Sequence, residues 1–158
     1  MDKQLIVMGL IRFLHEFFTA LWVGGLAFMT LTLVPSISKV LGTGEKNREM
    51  MKTVTRRHRV WTYLSMVGLV VTGLLLGRSS PSFTGFMRFD NLYSSLTAVK
   101  HLLIVVMVVI ALFRSIKFAK KEKVESPRPN KVNVLLIWIN FALGVAVLLL
   151  SAFAAAVR

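Results

Sequence analysis

Two histidines that lie within apolar segments, His15 and His101, are the residues of this sequence best suited to chemistry. An ionisable side chain inside a membrane-spanning helix costs free energy, and it usually marks a cofactor, an ion path or a proton path. The third histidine, His58, stands in the arginine-rich stretch RRHRV, so we assign it to a basic membrane interface. The first two histidines therefore form the candidate site.

Four apolar stretches supply the elements that must position these residues. Each meets or approaches the ~20 residues that a helix needs to cross ~30 Å of hydrocarbon. They are Leu5–Val34, Val60–Gly77, Leu92–Phe113 and Val132–Val157. Pro35 is predicted to end the first helix, because proline fits a helix boundary. The sequence thus predicts an all-α polytopic membrane protein, with residues 1–158 forming one antiparallel four-helix transmembrane bundle.

The basic residues are unevenly distributed and predict an orientation for this bundle. The 158 residues carry a net charge of +13, and most of the lysines and arginines stand in the first and third loops. The second loop holds only Arg78 and Arg88. By the positive-inside rule, loops one and three are cytoplasmic and both termini face outward, as expected for a multi-pass plasma-membrane protein. The charge is then explained by topology and anionic lipid rather than by nucleic acid.

The absence of cysteine excludes several kinds of metal and redox site. Without cysteine the chain forms no disulfide, iron–sulfur cluster, thiolate metal site or covalently attached c-type haem. The first apolar segment is longer than a signal peptide and contains Arg12, His15 and Glu16, so we expect it to be retained.

The candidate pair is predicted to share one depth in the membrane. His15 lies ten residues into the first span and His101 eight residues after Tyr93, which correspond to ~15 Å and ~12 Å along the helix axes. Two imidazoles that face each other in a bundle can ligate a haem iron from both sides. Lys100 precedes His101 and points ~100° away from it, so either His101 or Lys100 faces the site, and both alternatives stay open.

Further residues of the first helix bear on the same site. Arg12 is predicted near the outer mouth, where it either binds haem propionates or pairs with Glu16 one turn away. Trp22 is too deep for an interfacial tryptophan and is predicted to pack inside the bundle. Small residues such as Gly73 and Gly77 either leave volume for a porphyrin or permit close helix packing.

Copper is the alternative metal. Methionine thioethers suit Cu(I), and Met8, Met29, Met66 and Met107 lie in membrane segments. They are scattered rather than arrayed at helical spacing, which is more typical of methionine that fills a core.

Two short motifs resemble known families. The run LHEFFTALWVGGLAF, with His15 before an aromatic turn and a WxGG motif, resembles the first helix of CopD-like membrane proteins, and SSLTAVKHLLIVVMVVIALF resembles a later helix of that family. The layout is also similar to that of HemJ-type protoporphyrinogen oxidases. That resemblance implies a b-type haem associated with a first-helix histidine and a third-helix lysine, which match His15 and Lys100 by position. The CopD-like resemblance implies copper import or resistance.

Three functions follow as expectations. The first is a b-haem protein that moves electrons near the outer face, with a quinone, a porphyrinogen or a partner subunit. The second is a copper transport or handling protein that uses His15, His101 and nearby methionine. The third is a structural subunit of a larger membrane complex.

Overall fold

The computed structural model describes residues 2–42, 44–78, 92–121 and 131–157, without the side chains of residues 118–121 and 131. These residues are helical and contain no strand. The helices are α1 (Lys3–Ala27), α2 (Val34–Leu41), α3 (Glu45–Arg78), α4 (Leu92–Lys121) and α5 (Lys131–Ala156), and a π-helical segment, Phe28–Leu33, joins α1 to α2. The predicted second loop and most of the third (residues 79–91 and 122–130) lie outside the described residues.

Four membrane-spanning helices are confirmed by length and composition. The candidate spans are Lys3–Leu41, Glu45–Arg78, Leu92–Lys117 and Val132–Ala156. Their sides expose many large apolar residues, which include Leu5, Val67, Val109 and Leu149. Such an apolar exterior suits hydrocarbon, because lipid replaces water around a membrane protein.

The predicted end of the first helix at Pro35 is wrong. The chain stays helical to Leu41, and Pro35 lies in the first turn of α2, directly after the π-helical segment. Proline lacks an N–H group, and its ring clashes with the carbonyl four residues earlier in a regular helix. The wider turns before it, in which the N–H of Val34 bonds to the carbonyl of Met29, explain how the helix passes the proline without stopping.

Helices α3 and α4 extend beyond the predicted apolar spans. Helix α3 has 34 residues, ~51 Å at ~1.5 Å per residue, so it is longer than the hydrocarbon is thick. Its first turns carry the basic residues of loop one, and the end of α4 carries those of loop three. The apolar stretches therefore locate the spans, whereas the helices continue into the predicted interface.

The bundle core forms where side chains from all four spans meet. Helix α1 packs closely along α3 and also contacts α5, whereas α4, among the described helices, packs closely along α5 alone. The central cluster consists of Trp22, Leu26, Met66, Met107 and Val147. Because α4 approaches α1 and α3 only through side chains, bulky residues fill the middle of the bundle.

Glycines allow the close helix contacts. Gly144 of α5 lies where a β-carbon would be 3.2 Å from a methyl group of Val23 and 3.3 Å from Cε of Met107. Gly68 of α3 lies directly beneath the ring of Phe18. Small residues let membrane helices approach closely, and their packing replaces the hydrophobic effect as a source of stability.

Gly68→Ala is expected to destabilise the bundle, because the added methyl group would overlap the ring of Phe18. Overpacking of this kind costs about 1–3 kcal/mol. Thermal unfolding of the purified protein in mild detergent measures the effect. Gly24→Ala is the matched control, since a β-carbon there meets nothing within 4 Å. Equal melting temperatures for the two variants would contradict the packing described here.

Candidate functional site

His15 is half-buried on α1 and is held by a hydroxyl group of α3. Its Nδ1 lies 2.8 Å from Oγ1 of Thr72, and the same hydroxyl lies 2.6 Å from the carbonyl oxygen of Gly68. A threonine has one hydroxyl hydrogen, and a carbonyl only accepts. Thr72 therefore donates to Gly68 and accepts from His15, which requires the proton of the neutral ring on Nδ1 and leaves a lone pair on Nε2.

His101, on α4, has its Nδ1 fixed in the same way by a different group. Nδ1 lies 2.6 Å from the backbone carbonyl oxygen of Thr97, one turn earlier. Because the carbonyl can only accept, Nδ1 carries the proton and Nε2 of the neutral ring bears the lone pair. The two imidazoles thus hold the same tautomer through bonds to oxygen.

Helix α3 also shapes the space around the His15 ring. A β-carbon at Gly73 would lie 3.5 Å from Cε1 of His15, which is ordinary contact, so the imidazole packs against the backbone of α3 at this position. The backbone carbonyl of His15 accepts a hydrogen bond of 2.8 Å from the hydroxyl of Thr19. Thr72 and Gly73 together set the position of the ring.

The predicted site residues of α1 and α4 lie in one region. His15 interacts electrostatically with both Lys100 and His101, and all three side chains are half-buried. Lys100 also interacts electrostatically with its neighbour His101. The structure leaves both His101 and Lys100 as candidates to act opposite His15.

Trp22 and Arg12 occupy contrasting environments. Trp22 is only 3% exposed, as predicted, and its indole Nε1 has no hydrogen-bond partner among the described residues. Arg12 and Glu16 are both exposed on the outer surface of α1. Arg12 therefore lies on the exposed side of α1, whereas Trp22 packs in the core.

Protein ligands for a free metal ion are sparse. Within the described residues, no group of three or more histidine or acidic side chains is placed to hold a metal. Met66 and Met107 belong to the central apolar cluster, and Met29 is 2% exposed. A haem iron needs only two axial protein ligands, so the two imidazoles suit it better than they suit a bare ion.

The structure turns His58 away from the basic surface to which the sequence assigned it. A β-carbon at Gly25, in the WxGG motif, would lie 2.6 Å from Cε1 of His58, so the imidazole covers this glycine inside the bundle. His58 also interacts electrostatically with Arg114 of α4. Both side chains line a polar cavity with Asn133 and Asn140.

Sequence reasoning missed the polar residues that hold these rings. Thr72 and Thr97 carry no motif, and their role depends on which side of each helix faces the histidine. Asn133 and Asn140 gave a signal that could have been used, because amides within an apolar span are costly unless they find partners.

In comparisons with known proteins, no family model matches the sequence. No curated protein and no solved structure matches it either. The function is therefore argued from the residues and their geometry.

Thr72→Val is expected to release the tautomer of His15, because valine keeps the shape of threonine but cannot accept the bond from Nδ1. The check is two-dimensional ¹⁵N–¹H NMR of the protein labelled at its histidine rings. The wild type should show protonated Nδ1 at both His15 and His101, and the variant should lose this preference at His15 alone. A wild type that carries the His15 proton on Nε2 would refute the assignment.

Proposed function

We propose that this chain is an integral membrane protein that binds b-type haem and carries out electron transfer or redox chemistry near the outer face of the plasma membrane. His15 and His101, or Lys100 in place of His101, would hold the haem iron. The observation that carries the proposal is that Nδ1 of each imidazole lies within hydrogen-bond distance of an oxygen atom, which leaves Nε2 as the ligating nitrogen. A histidine that ligates a metal commonly donates its other ring N–H to an oxygen acceptor, as His15 does to Thr72 and His101 to Thr97.

Space between α1 and α4 supports the same proposal. Helix α4 packs along α5 rather than along α1, and small buried residues line the end of the bundle that holds the histidines. They are Ser94 and Ala98 on α4 and Ala154 on α5. A β-carbon at Gly77 of α3 would meet nothing within 4 Å. The small side chains at these positions support a planar group between the two imidazoles.

Each residue has a distinct role in this proposal. Haem held by these residues would supply one-electron redox chemistry, which suits electron transfer. Thr72 and the Thr97 carbonyl orient the imidazoles. Trp22 excludes water from the inner side, and Arg12 pairs with a propionate at the surface of α1. The electron partner is a quinone, a porphyrinogen or another subunit.

A partner subunit would also explain the exposed charges of α1. Arg12 and Glu16 lie on the surface of a span, where a charge that faces hydrocarbon costs about 2.5–3.5 kcal/mol. Their exposed neighbours Phe13 and Phe17 stack with ring centroids 6.3 Å apart. A helix from a partner that covers this face would remove the charges from lipid.

The expected spectrum of the purified protein is that of a b-type cytochrome, with sharp reduced-minus-oxidised bands. His15→Ala should abolish the bands, because no other residue replaces that ligand on α1. His101→Ala and Lys100→Ala identify the opposite ligand, since only one of them should remove the bands. His58→Ala is the matched control, because it removes a half-buried histidine at the other end of α3.

Two results would refute the haem proposal. One is a colourless wild-type protein purified from cells with an intact haem supply, and elemental analysis would then test copper, the alternative implied by the CopD-like resemblance. The other, an equal loss of bands in His58→Ala and His15→Ala, would refute the assignment of His15 as the ligand, because the loss would then reflect misfolding.

We also propose alternating helix directions with both termini outside. Contacts along α1 and α3 run in opposite order, since His15 meets Thr72 and Gly25 meets His58. Helices α4 and α5 follow the same rule, because Arg114 bonds to Asn133 and Met107 meets Gly144. The basic ends of the bundle then face the cytoplasm.

Single cysteines should report this topology without background, because the natural sequence contains none. A membrane-impermeant thiol reagent is expected to label Lys3→Cys on intact cells, and to label Lys46→Cys only after the membrane is opened. The reverse pattern would refute the orientation, and labelling of both on intact cells would refute the two-sided topology.

A further inference from the structure

The polar cavity at the basic end of the bundle is the feature that the haem proposal leaves unexplained. It lies between α3, α4 and α5, is partly open to the surface, and has a volume of about 60 Å³. A cavity needs about 10–15 Å³ of such volume to hold one water molecule, so this one has room for several. Thr72 and His58 are ~21 Å apart along α3 at ~1.5 Å per residue, so the cavity and the His15 site are separate.

The cavity carries positive charge without a matching carboxylate. Arg114 and Arg59 line it, and the described lining residues include no aspartate or glutamate. Asn133 Oδ1 accepts a hydrogen bond of 2.9 Å from Nε of Arg114, which occupies one of the five N–H donors of the guanidinium. A half-buried cation without an acidic group among the described lining residues favours an anion as its partner.

Asn140 places a second, independent requirement on the ligand of this cavity. Its side chain is 1% exposed, lines the cavity, and leaves Oδ1 without a hydrogen-bond partner among the described residues. A buried acceptor without a partner costs about 1–3 kcal/mol. Arg114 favours an oxyanion and Asn140 Oδ1 requires a hydrogen-bond donor, so a ligand that satisfies both carries an anionic oxygen and a donor such as a hydroxyl group.

We propose that this cavity binds a phosphate group that bears or adjoins a hydroxyl, with the anionic oxygens on Arg114 and the hydroxyl on Asn140. The planar guanidinium matches phosphate oxygens with two parallel hydrogen bonds. Two sources share this chemistry, the phosphoglycerol headgroup of a lipid and free hydrogen phosphate. Basic pockets between membrane helices on the cytoplasmic side are suited to lipid headgroups.

The remaining lining residues fit the same ligand. The hydroxyl group of Thr62 donates a hydrogen bond of 2.9 Å to the backbone carbonyl oxygen of His58. This bond fixes the helix turn that presents His58 to the cavity. Ser115 adds a hydroxyl from α4, and Leu26 closes the side toward the core. The cavity therefore has a cationic wall, hydroxyl and amide groups around it, and an apolar base.

Native mass spectrometry of the full chain in mild detergent tests the proposal. The probes are phosphatidylglycerol, phosphatidylmethanol, which has the same charge without the headgroup hydroxyls, and phosphatidylcholine. The wild type should prefer phosphatidylglycerol over both others. Arg114→Gln should weaken that binding about tenfold or more, because it removes a charge-assisted pair. Arg57→Gln, which replaces an exposed arginine of α3 that does not line the cavity, is the control and should change it less than about twofold.

A second variant keeps the test decisive if Arg114→Gln fails to fold. Asn140→Leu preserves the buried volume and removes the unpaired acceptor, so it should abolish the preference for phosphatidylglycerol over phosphatidylmethanol. Inorganic phosphate that binds and displaces the lipid would support the site with free phosphate as its source. Equal binding of phosphatidylcholine, or equal losses in Arg57→Gln and Arg114→Gln, would overturn the proposal in favour of general surface attraction.

Discussion

Polar groups within a membrane bundle have to find their partners inside the protein, because hydrocarbon offers none. The threonines follow this constraint by donating to the carbonyl one turn earlier, as Thr30 does to Leu26 and Thr72 does to Gly68. That donation has a further effect at position 72. Since the hydroxyl hydrogen is already used, Thr72 can only accept from His15, and a backbone hydrogen bond thereby determines the protonation of an imidazole on another helix.

The pairing of α1 with α3 links the stability of the bundle to the placement of its histidines. At three levels a glycine of one helix faces a ring of the other: Gly25 faces His58, Gly68 faces Phe18, and Gly73 faces His15. A β-carbon at Gly25 or Gly68 would displace a ring, whereas one at Gly73 would meet the His15 ring at ordinary contact distance. The contacts that hold the two helices together therefore also set the positions of two of the three histidines.

Local composition was enough to predict the four spans, the inward position of Trp22 and the presence of histidine in the membrane. These properties depend on the length and polarity of short segments. The partners of His15 and His101 could not be predicted, because they depend on how each helix is rotated about its axis. His58 shows the limit most clearly: its arginine neighbours suggested a surface, yet its own position on the helix turns it toward Gly25 and Arg114.

The π-helical segment before Pro35 divides the first span into two helices, α1 and α2, whose buried faces are set independently. Each hydrogen-bonded turn of a π-helix contains one residue more than an α-helical turn. The periodicity of α1 places Trp22 and Leu26 in the core, and the π-helical segment shifts this periodicity before α2 begins. The buried face of α2, which presents Ile37 to α3, is therefore not in phase with the buried face of α1. The span thus consists of two helices with a phase offset: α1 is matched to the histidine site, and α2 to the basic end of α3.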